Sequence, residues 1–298
     1  MAIGWTPRSE AATPAPTYSA AEGWWARTNP AVYWAIHASC LLVFWVGAST
    51  GDLVLLAATF YARMFAITGG YHRYFAHKTY KTSRAFQFAL AALACSATQK
   101  GPLWWAGNHR LHHKHADQPE DLHSPSHGLY HAHVGWVFEG RWDATPLDRI
   151  ADFARYPELV WLNRNHHAPA IALALLCALI GGFSGVVWGY LVSTVLLWHA
   201  TYTINSLSHT WGTRRYDTAD TSRNNPWLAL LTLGEGWHNN HHHFCAATRQ
   251  GFRWWEIDIT YYALRALQAV GLIWDIREPP AHVISPSSTP RAETREAA

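Results

Sequence analysis

The sequence predicts an all-α integral membrane protein, with four transmembrane helices in two hairpins beneath a cytoplasmic helical cap. Three observations carry that expectation. Charged residues make up only 14% of a chain that is 49% hydrophobic, where an ordinary soluble chain carries about 25%. The charges that remain leave long uncharged runs between them. Mean hydropathy is nevertheless only −0.11, too low for a body wholly embedded in lipid, so an aqueous portion must accompany the spans. The balance of 23 basic against 20 acidic residues is too even for a nucleic-acid-binding surface.

Taken in order, residues 1–29 read as a flexible tail without the apolar core of a signal peptide. No charge occurs from Thr28 to Gly51, and a first span is placed at about 31–49. Asp52 interrupts, and a second span follows at about 53–71, apolar apart from Arg63. A mid-membrane cation costs on the order of 3 kcal/mol, so Arg63 is expected to face the bundle interior or a polar partner. An interfacial helix is placed at about 85–99, in an uncharged run too short to cross. From Asn165 to Thr213 there is no charge over 49 residues, which suits two spans and a turn. Gly181, Gly182 and Gly185 supply the turn, giving spans at about 168–183 and 186–205. The domain thus runs over 30–278, followed by a flexible tail at 279–298. Lys and Arg avoid the connectors at 50–52 and 181–185, which places both termini and the segment 72–167 in the cytoplasm.

The four cysteines, Cys40, Cys95, Cys177 and Cys245, form no CxxC pair and read as free thiols. The 20 histidines are clustered. His72 and His77 follow the second span, and HxxHH occurs twice, as His109, His112 and His113 and as His238, His241 and His242. Two chance copies are expected about 0.004 times at this composition. Positions i, i+3 and i+4 share one helix face, so two such helices facing each other can bracket a pair of cations. His72 and His77 are five apart, and join the cluster only if the helix ends or distorts between them. These groups, with His209, all fall on the cytoplasmic side.

Imidazole suits iron, copper, zinc and nickel, and eight box histidines exceed one tetrahedral site. Two metals are therefore expected. Glu235 is the acid noticed near the third box. Iron with dioxygen is favoured over zinc, because protein groups alone do not break an unactivated C–H bond. Other histidines read as packing, loop or supporting residues, among them His37 and His199 within the spans and His123, His127, His131 and His133 beside the boxes. Trp24, Trp25, Trp254 and Trp255 read as interface anchors, and Trp104 and Trp105 as the lining of an apolar substrate channel.

The text Gly70-Tyr-His-Arg-Tyr-Phe-Ala-His77, His109-Arg-Leu-His-His-Lys-His-Ala-Asp117, His133-Val-Gly-Trp136, Asn205-Ser-Leu-Ser-His209 and Gly234-Glu-Gly-Trp-His-Asn-Asn-His-His242 resembles the membrane-bound fatty acyl-CoA desaturases. The stearoyl-CoA, Δ9 type is the nearest in kind, and Gln250 to Asp258 resembles its bacterial branch. The similarity runs from about Pro30 to Pro280. It implies a di-iron centre with nine histidine ligands, His72, His77, His109, His112, His113, His209, His238, His241 and His242, with Asn205 acting through water. It implies O2 as co-substrate, a cis double bond as product, and two electrons from a ferredoxin-like or b-type cytochrome donor. It also implies a bacterial inner-membrane location and long-chain acyl-CoA as the leading substrate, with acyl-carrier protein or a membrane lipid as alternatives.

One departure bears on the carrier. Animal members have Arg-Arg-Gly shortly before the His-Val-Gly-Trp motif, where this chain has Ser126-His127-Gly128, and an Arg where it has Gly107. Phosphate contacts must then come from elsewhere, with Lys78, Lys81 and Arg84 as candidates. Rival readings are a fatty-acyl or alkane hydroxylase on the same scaffold, a histidine-rich membrane metal transporter, and a structural zinc scaffold.

Overall fold

The computed structural model describes residues 28–285. Trp24, Trp25 and most of both expected tails lie outside the described residues. Among these, helices dominate, with a single antiparallel pair of two-residue strands, Lys81–Thr82 against Ile273–Trp274.

Helix α1 (Pro30–Val46) begins with proline in its first turn and an Asn29 side chain that accepts from the Ala31 amide at 2.9 Å, a start that satisfies otherwise orphaned donors. Helix α2 (Thr50–Ala76) opens on a capping box. The Ser49 hydroxyl accepts from the Asp52 amide, and the Asp52 carboxylate accepts from the Ser49 amide at 2.9 Å. Asp52, expected to interrupt between the spans, lies inside the first turn of this helix, which starts at Thr50, three residues earlier than the expected 53.

Helix α3 (Arg84–Cys95) occupies most of the expected interfacial segment, and α4 (Pro102–His115) carries the second histidine box. Gly101 offers α4 no side-chain cap. The Asn163 amide oxygen, from α6 (Pro157–Arg164), accepts from the Leu103 and Trp104 amides at 3.1 and 2.9 Å instead. Between α4 and α6 lies the short α5 (Leu129–His133).

The run Ala168–Thr210 is broken at Gly181 and Gly182, whose backbone leaves the helical region. Gly182 has φ +59° and ψ −146°, a conformation open almost only to glycine. The two arms, α7 (168–180) and α8 (183–210), fold back on each other. A Cβ at Gly185 would sit 2.3 Å from the Cys177 carbonyl oxygen, and one at Gly189 would sit 2.7 Å from Leu55. This turn lies beside the α1–α2 turn, since the Ser184 hydroxyl donates to Asp52 at 2.8 Å and the Trp188 indole to the Gly47 carbonyl at 2.7 Å.

Two helical runs, Thr50–Ala76 and Ala168–Thr210, are long and apolar enough to cross a bilayer. Leu41, Phe44, Trp45, Leu175, Leu179 and Ile180 all point outward. Such a surface is unfavourable in water and natural against lipid, and the chain is membrane-associated. Arg63 is fully buried and faces inward. It donates to Ser193, Thr194 and the Thr59 and Ser96 carbonyls at 2.5–3.3 Å, so every bond to this cation comes from a neutral oxygen.

Beyond α8 come α9 (Pro226–Leu231), α10 (His238–His243) and α11 (Ile259–Ala269). Helix α11 docks on the end of α2, where the Thr260 and Thr68 hydroxyls lie 2.7 Å apart.

Candidate metal centre

The end of α2 is wound as a π-helix over Ala66–Ala76, and the His77 amide donates to the His72 carbonyl at 3.1 Å. A ladder that bonds i to i+5 stacks residues five apart. It thus supplies the distortion that His72 and His77 need to act together. Their rings lie 4.8 Å apart. The six-residue α10 is held by the two asparagines between its histidines. Asn239 Oδ1 accepts from the Arg215 and Tyr216 amides, while Asn240 donates to the Gln250 carbonyl and to Glu256. This leaves His241 and His242 against His113 of α4 and His238 against His209, while His243 stacks on Tyr216.

All nine histidines converge, and they sort into two groups. His72, His77, His109, His113 and His241 form one; His112, His209, His238 and His242 form the other. Within each, one nitrogen per ring lies within 4.8 Å of the others. Each HxxHH box therefore serves both groups: His109 and His113 turn to the first and His112 to the second, while His241 turns to the first and His238 and His242 to the second. Asn205, on α8 four residues before His209, lines the adjoining cavity beside His238.

The donor set suits metal ions. Nε2–Nε2 separations are 3.0 Å for His72–His241 and His77–His109, 2.9 Å for His113–His241 and 3.1 Å for His209–His238. Bonds of about 2.1 Å place adjacent ligand nitrogens about 3.0 Å apart at right angles. Four Nδ1 atoms face carboxylates: His72 with Glu235 (2.5 Å), His112 with Asp121 (3.0 Å), His209 with Asp117 (3.1 Å) and His242 with Asp220 (2.8 Å). Those contacts place the ring hydrogen on Nδ1 and leave Nε2 as an inward lone pair. His242 Nε2 is buried with no hydrogen-bond partner. Lone pairs gathered this closely suit a cation.

Electrostatics agree. Burial, then the neighbouring imidazoles, pushes His77, His109, His113, His238 and His241 well below the ordinary histidine value, so they stand as neutral ligands. Burial resists ionisation of Asp121, yet His112 and His123 hold its carboxyl far below the usual range. Asp117, Asp121 and Asp220 support these histidines, and the sequence reading gave none of them a role: Asp117 appeared only as the end of a quoted motif, and Glu235 was the acid noticed. They lie in loops 92, 9 and 22 residues from their histidines. The available signal was their crowding at 117–121 and 217–220 in a chain poor in acids.

Beside the histidines lies a cavity lined by Met64, Ile67, Trp104, Trp105, Leu122 and Ile204, with His72, His109 and His238 on its wall. A second cavity shares Gln99, Trp104, Trp105, Trp136 and Tyr202 with it. At that junction the Gln99 amide donates to the Thr201 hydroxyl at 2.8 Å, and the Trp105 indole donates to Gln99 at 3.3 Å. Lys78, Lys81 and Arg84 line neither cavity; they pair with Asp152, Asp275 and Glu158. His37, His199 and His133 form a separate hydrogen-bonded chain ending on Ser206. All four cysteines are free, and Trp254 and Trp255 are exposed.

Comparison with known proteins gives one family. Residues 44–274 match the family described as fatty acid desaturase. An sn-2 palmitoyl-lipid 9-desaturase of Nostoc sp. (strain 36) is 38% identical over 251 residues, covering 82% of this chain and 87% of the relative. An acyl-CoA C20 Delta5-desaturase of Anemone leveillei is 37% identical over 219 residues, 72% of this chain and 70% of the relative. A hex-5-enoyl-[acyl-carrier protein] acetylenase of Moorena producens (strain JHB) is 34% identical over 264 residues, 82% of each chain.

Proposed function

The chain belongs to the fatty acid desaturase family, an oxidoreductase acting on acyl chains, and we propose that it inserts a cis double bond at Δ9 of a saturated long chain. In this reading the nine histidines hold two irons, five rings to one and four to the other, with Asn205 reaching the four-ring site through water. Bound iron would supply the reduction of O2 and the oxidising power to take two vicinal hydrogens, the oxygen leaving as water. The electrons come singly from a ferredoxin-like or b-type cytochrome partner. Helices α1, α2, α7 and α8 would make four crossings. Their two connecting turns would lie on one side, and the cap and both termini would lie in the cytoplasm of a bacterial inner membrane.

The residues divide the work. Met64, Ile67, Leu122 and Ile204 offer an acyl chain an apolar wall and exclude water. The Gln99–Thr201–Trp105 contacts fix the junction through which that chain would pass. His72, His109 and His238 bring the metal-facing wall against it, and the four carboxylates orient their imidazoles. The supporting observation is the sorting of nine imidazoles, with nitrogens about 3 Å apart, beside an apolar cavity. The test is expression in a cell that lacks unsaturated fatty acids, with an electron donor supplied. Gas chromatography is expected to show cis-Δ9 monoenes, and His112→Ala to abolish them. Hydroxylated products, or an unchanged profile from inserted, iron-loaded protein, would overturn the reading.

A further inference from the structure

The two groups of rings offer the same kind of ligand atom, yet the carboxylates behind them are unevenly shared. In the four-ring group three rings are backed by an acid: Asp121 lies 3.0 Å from His112 Nδ1, Asp117 3.1 Å from His209 Nδ1 and Asp220 2.8 Å from His242 Nδ1. In the five-ring group His72 alone is backed by one among the described residues, Glu235 at 2.5 Å.

Their charges are also balanced differently. Glu235 Oε1 lies 3.1 Å from the Arg73 guanidinium, which also meets Asp258 at 2.9 Å, and all three side chains are buried. A Cβ at Gly234 would lie 2.4 Å from Asp258 Oδ1 and 3.2 Å from Arg73 Nη2, so glycine leaves room for this cluster. Asp117, Asp121 and Asp220 meet no lysine or arginine among the described residues. Their other partners are neutral donors: the Asp117 and His123 backbone amides for Asp121, Thr221 for Asp117, and Ser222 and Thr218 for Asp220. Three uncompensated carboxylates therefore stand behind four rings, and one compensated carboxylate behind five.

Oxidation of a bound iron adds one positive charge, and nearby anions favour that state, more strongly in a dry site than in water. A carboxylate that accepts from a ligand imidazole also raises the basicity of that ligand. We propose that the two sites are electrically unequal: Asp117, Asp121 and Asp220 make the four-ring site the more stable seat of ferric iron, while Glu235, compensated by Arg73, leaves the five-ring site to take the first electron from the donor. In that step the donor loses one electron and one iron passes from ferric to ferrous, with no bond made or broken. The assignment rests on the desaturase reading, which supplies the two irons and the one-electron donor.

The test uses the full chain in detergent, loaded with Mössbauer-active iron and reduced stepwise by dithionite through mediators under argon. Spectra at each potential count ferric and ferrous iron. Two separate one-electron steps are expected, the upper at the five-ring site and the lower at the four-ring site. Asp121→Asn is expected to raise the lower midpoint by about tenfold in the ferrous-to-ferric ratio, about 59 mV for one electron, so that the steps converge. Glu235→Gln is expected to raise the upper midpoint similarly, so that they diverge. A general loosening of the cap would move the steps alike in both variants. If Asp121→Asn does not fold, Asp220→Asn alters the same site and is expected to make the steps converge. Coincident steps in wild-type protein holding two irons, or variants that fail to move the steps in these opposite directions, overturn the inference and leave desaturation intact. Wild-type protein that holds fewer than two irons overturns the di-iron reading and this inference with it.

Discussion

Asp220→Asn tests whether the carboxylates behind the histidines set metal affinity. In the structure Asp220 Oδ2 lies 2.8 Å from His242 Nδ1, and its other oxygen accepts from the Ser222 amide at 2.9 Å and the Thr218 hydroxyl at 3.0 Å. The pair is shielded, with side-chain exposures of 2% for His242 and 10% for Asp220. Burial pushes the imidazole down to about 4 against the pull of Asp220, so the ring is neutral and donates from Nδ1. Asparagine preserves the shape and removes the charge. It can also turn its amide hydrogens toward Nδ1, favouring the tautomer that points a hydrogen at the metal. Loss of such a supporting group typically costs 10–100-fold in metal affinity, or about 1.4–2.7 kcal/mol. The shielding puts Asp220→Asn toward the upper end. Asp217→Asn is the control: Asp217 is 87% exposed and 4.0 Å from Arg214, so its effect should stay within about 0.5 kcal/mol. The assay is iron titration of chelator-stripped protein in detergent, with chelator competition for Kd and metal analysis for stoichiometry. Asp220→Asn should weaken one of two irons selectively. Wild-type affinity for both, or an equal loss in Asp217→Asn, would refute the reasoning.

Gly182→Ala forces a side chain into φ +59° and should destabilise the α7–α8 turn by about 1–3 kcal/mol, read as a lower midpoint in detergent unfolding. Asn163→Ala removes the cap of α4 and should cost about 1–2 kcal/mol; a normal midpoint would show that the two amides find other partners. The pH dependence follows from the cluster histidines that burial depresses, His77, His109, His113, His238, His241 and His242. Unfolded, each binds a proton below about 6.5, while folded it stays neutral. The unfolded chain then holds more protons and stability rises with pH. Metal-depleted protein should therefore lose stability as pH falls below about 6.5, and a flat tryptophan-fluorescence midpoint between about pH 7.5 and 5 would contradict this.

The legible and illegible parts of this protein separate by range along the chain. Charge-free runs and the Gly181–Gly182 break are local, and so is the i, i+3, i+4 spacing that turns three imidazoles to one side of a helix. These could be read directly. The five-and-four division could not, because it depends on how α4 and α10 cross. His112 and His113 are neighbours in sequence and part company only in three dimensions. The partners of exposed cations are equally remote: Lys81 meets Asp275, and Arg84 meets Glu158, so charge alone suggested phosphate contacts where the fold places ion pairs. The π-helix at 66–76 lies between. The five-residue spacing required some distortion, but the sequence did not say which.

The division between hull and cap has an energetic logic. Helices α1, α2, α7 and α8 meet largely through apolar side chains and small residues such as Gly185 and Gly189, contacts that survive without any ligand. The cap gathers nine imidazoles whose mutual contacts are unfavourable on their own, since a buried polar atom left without a partner costs about 1–3 kcal/mol, and the inward His242 Nε2 is of that kind. Binding of cations would turn this strain into stability, because metal-binding free energy is folding free energy where ligands must be brought together. Four carboxylates commit His72, His112, His209 and His242 to the ligand tautomer beforehand, so little reorganisation remains when metal arrives. The apolar cavity on one side and the ionic shell on the other are consequently two faces of one wall of imidazoles. That wall lets a site built from charges act on a substrate that carries none where it reacts.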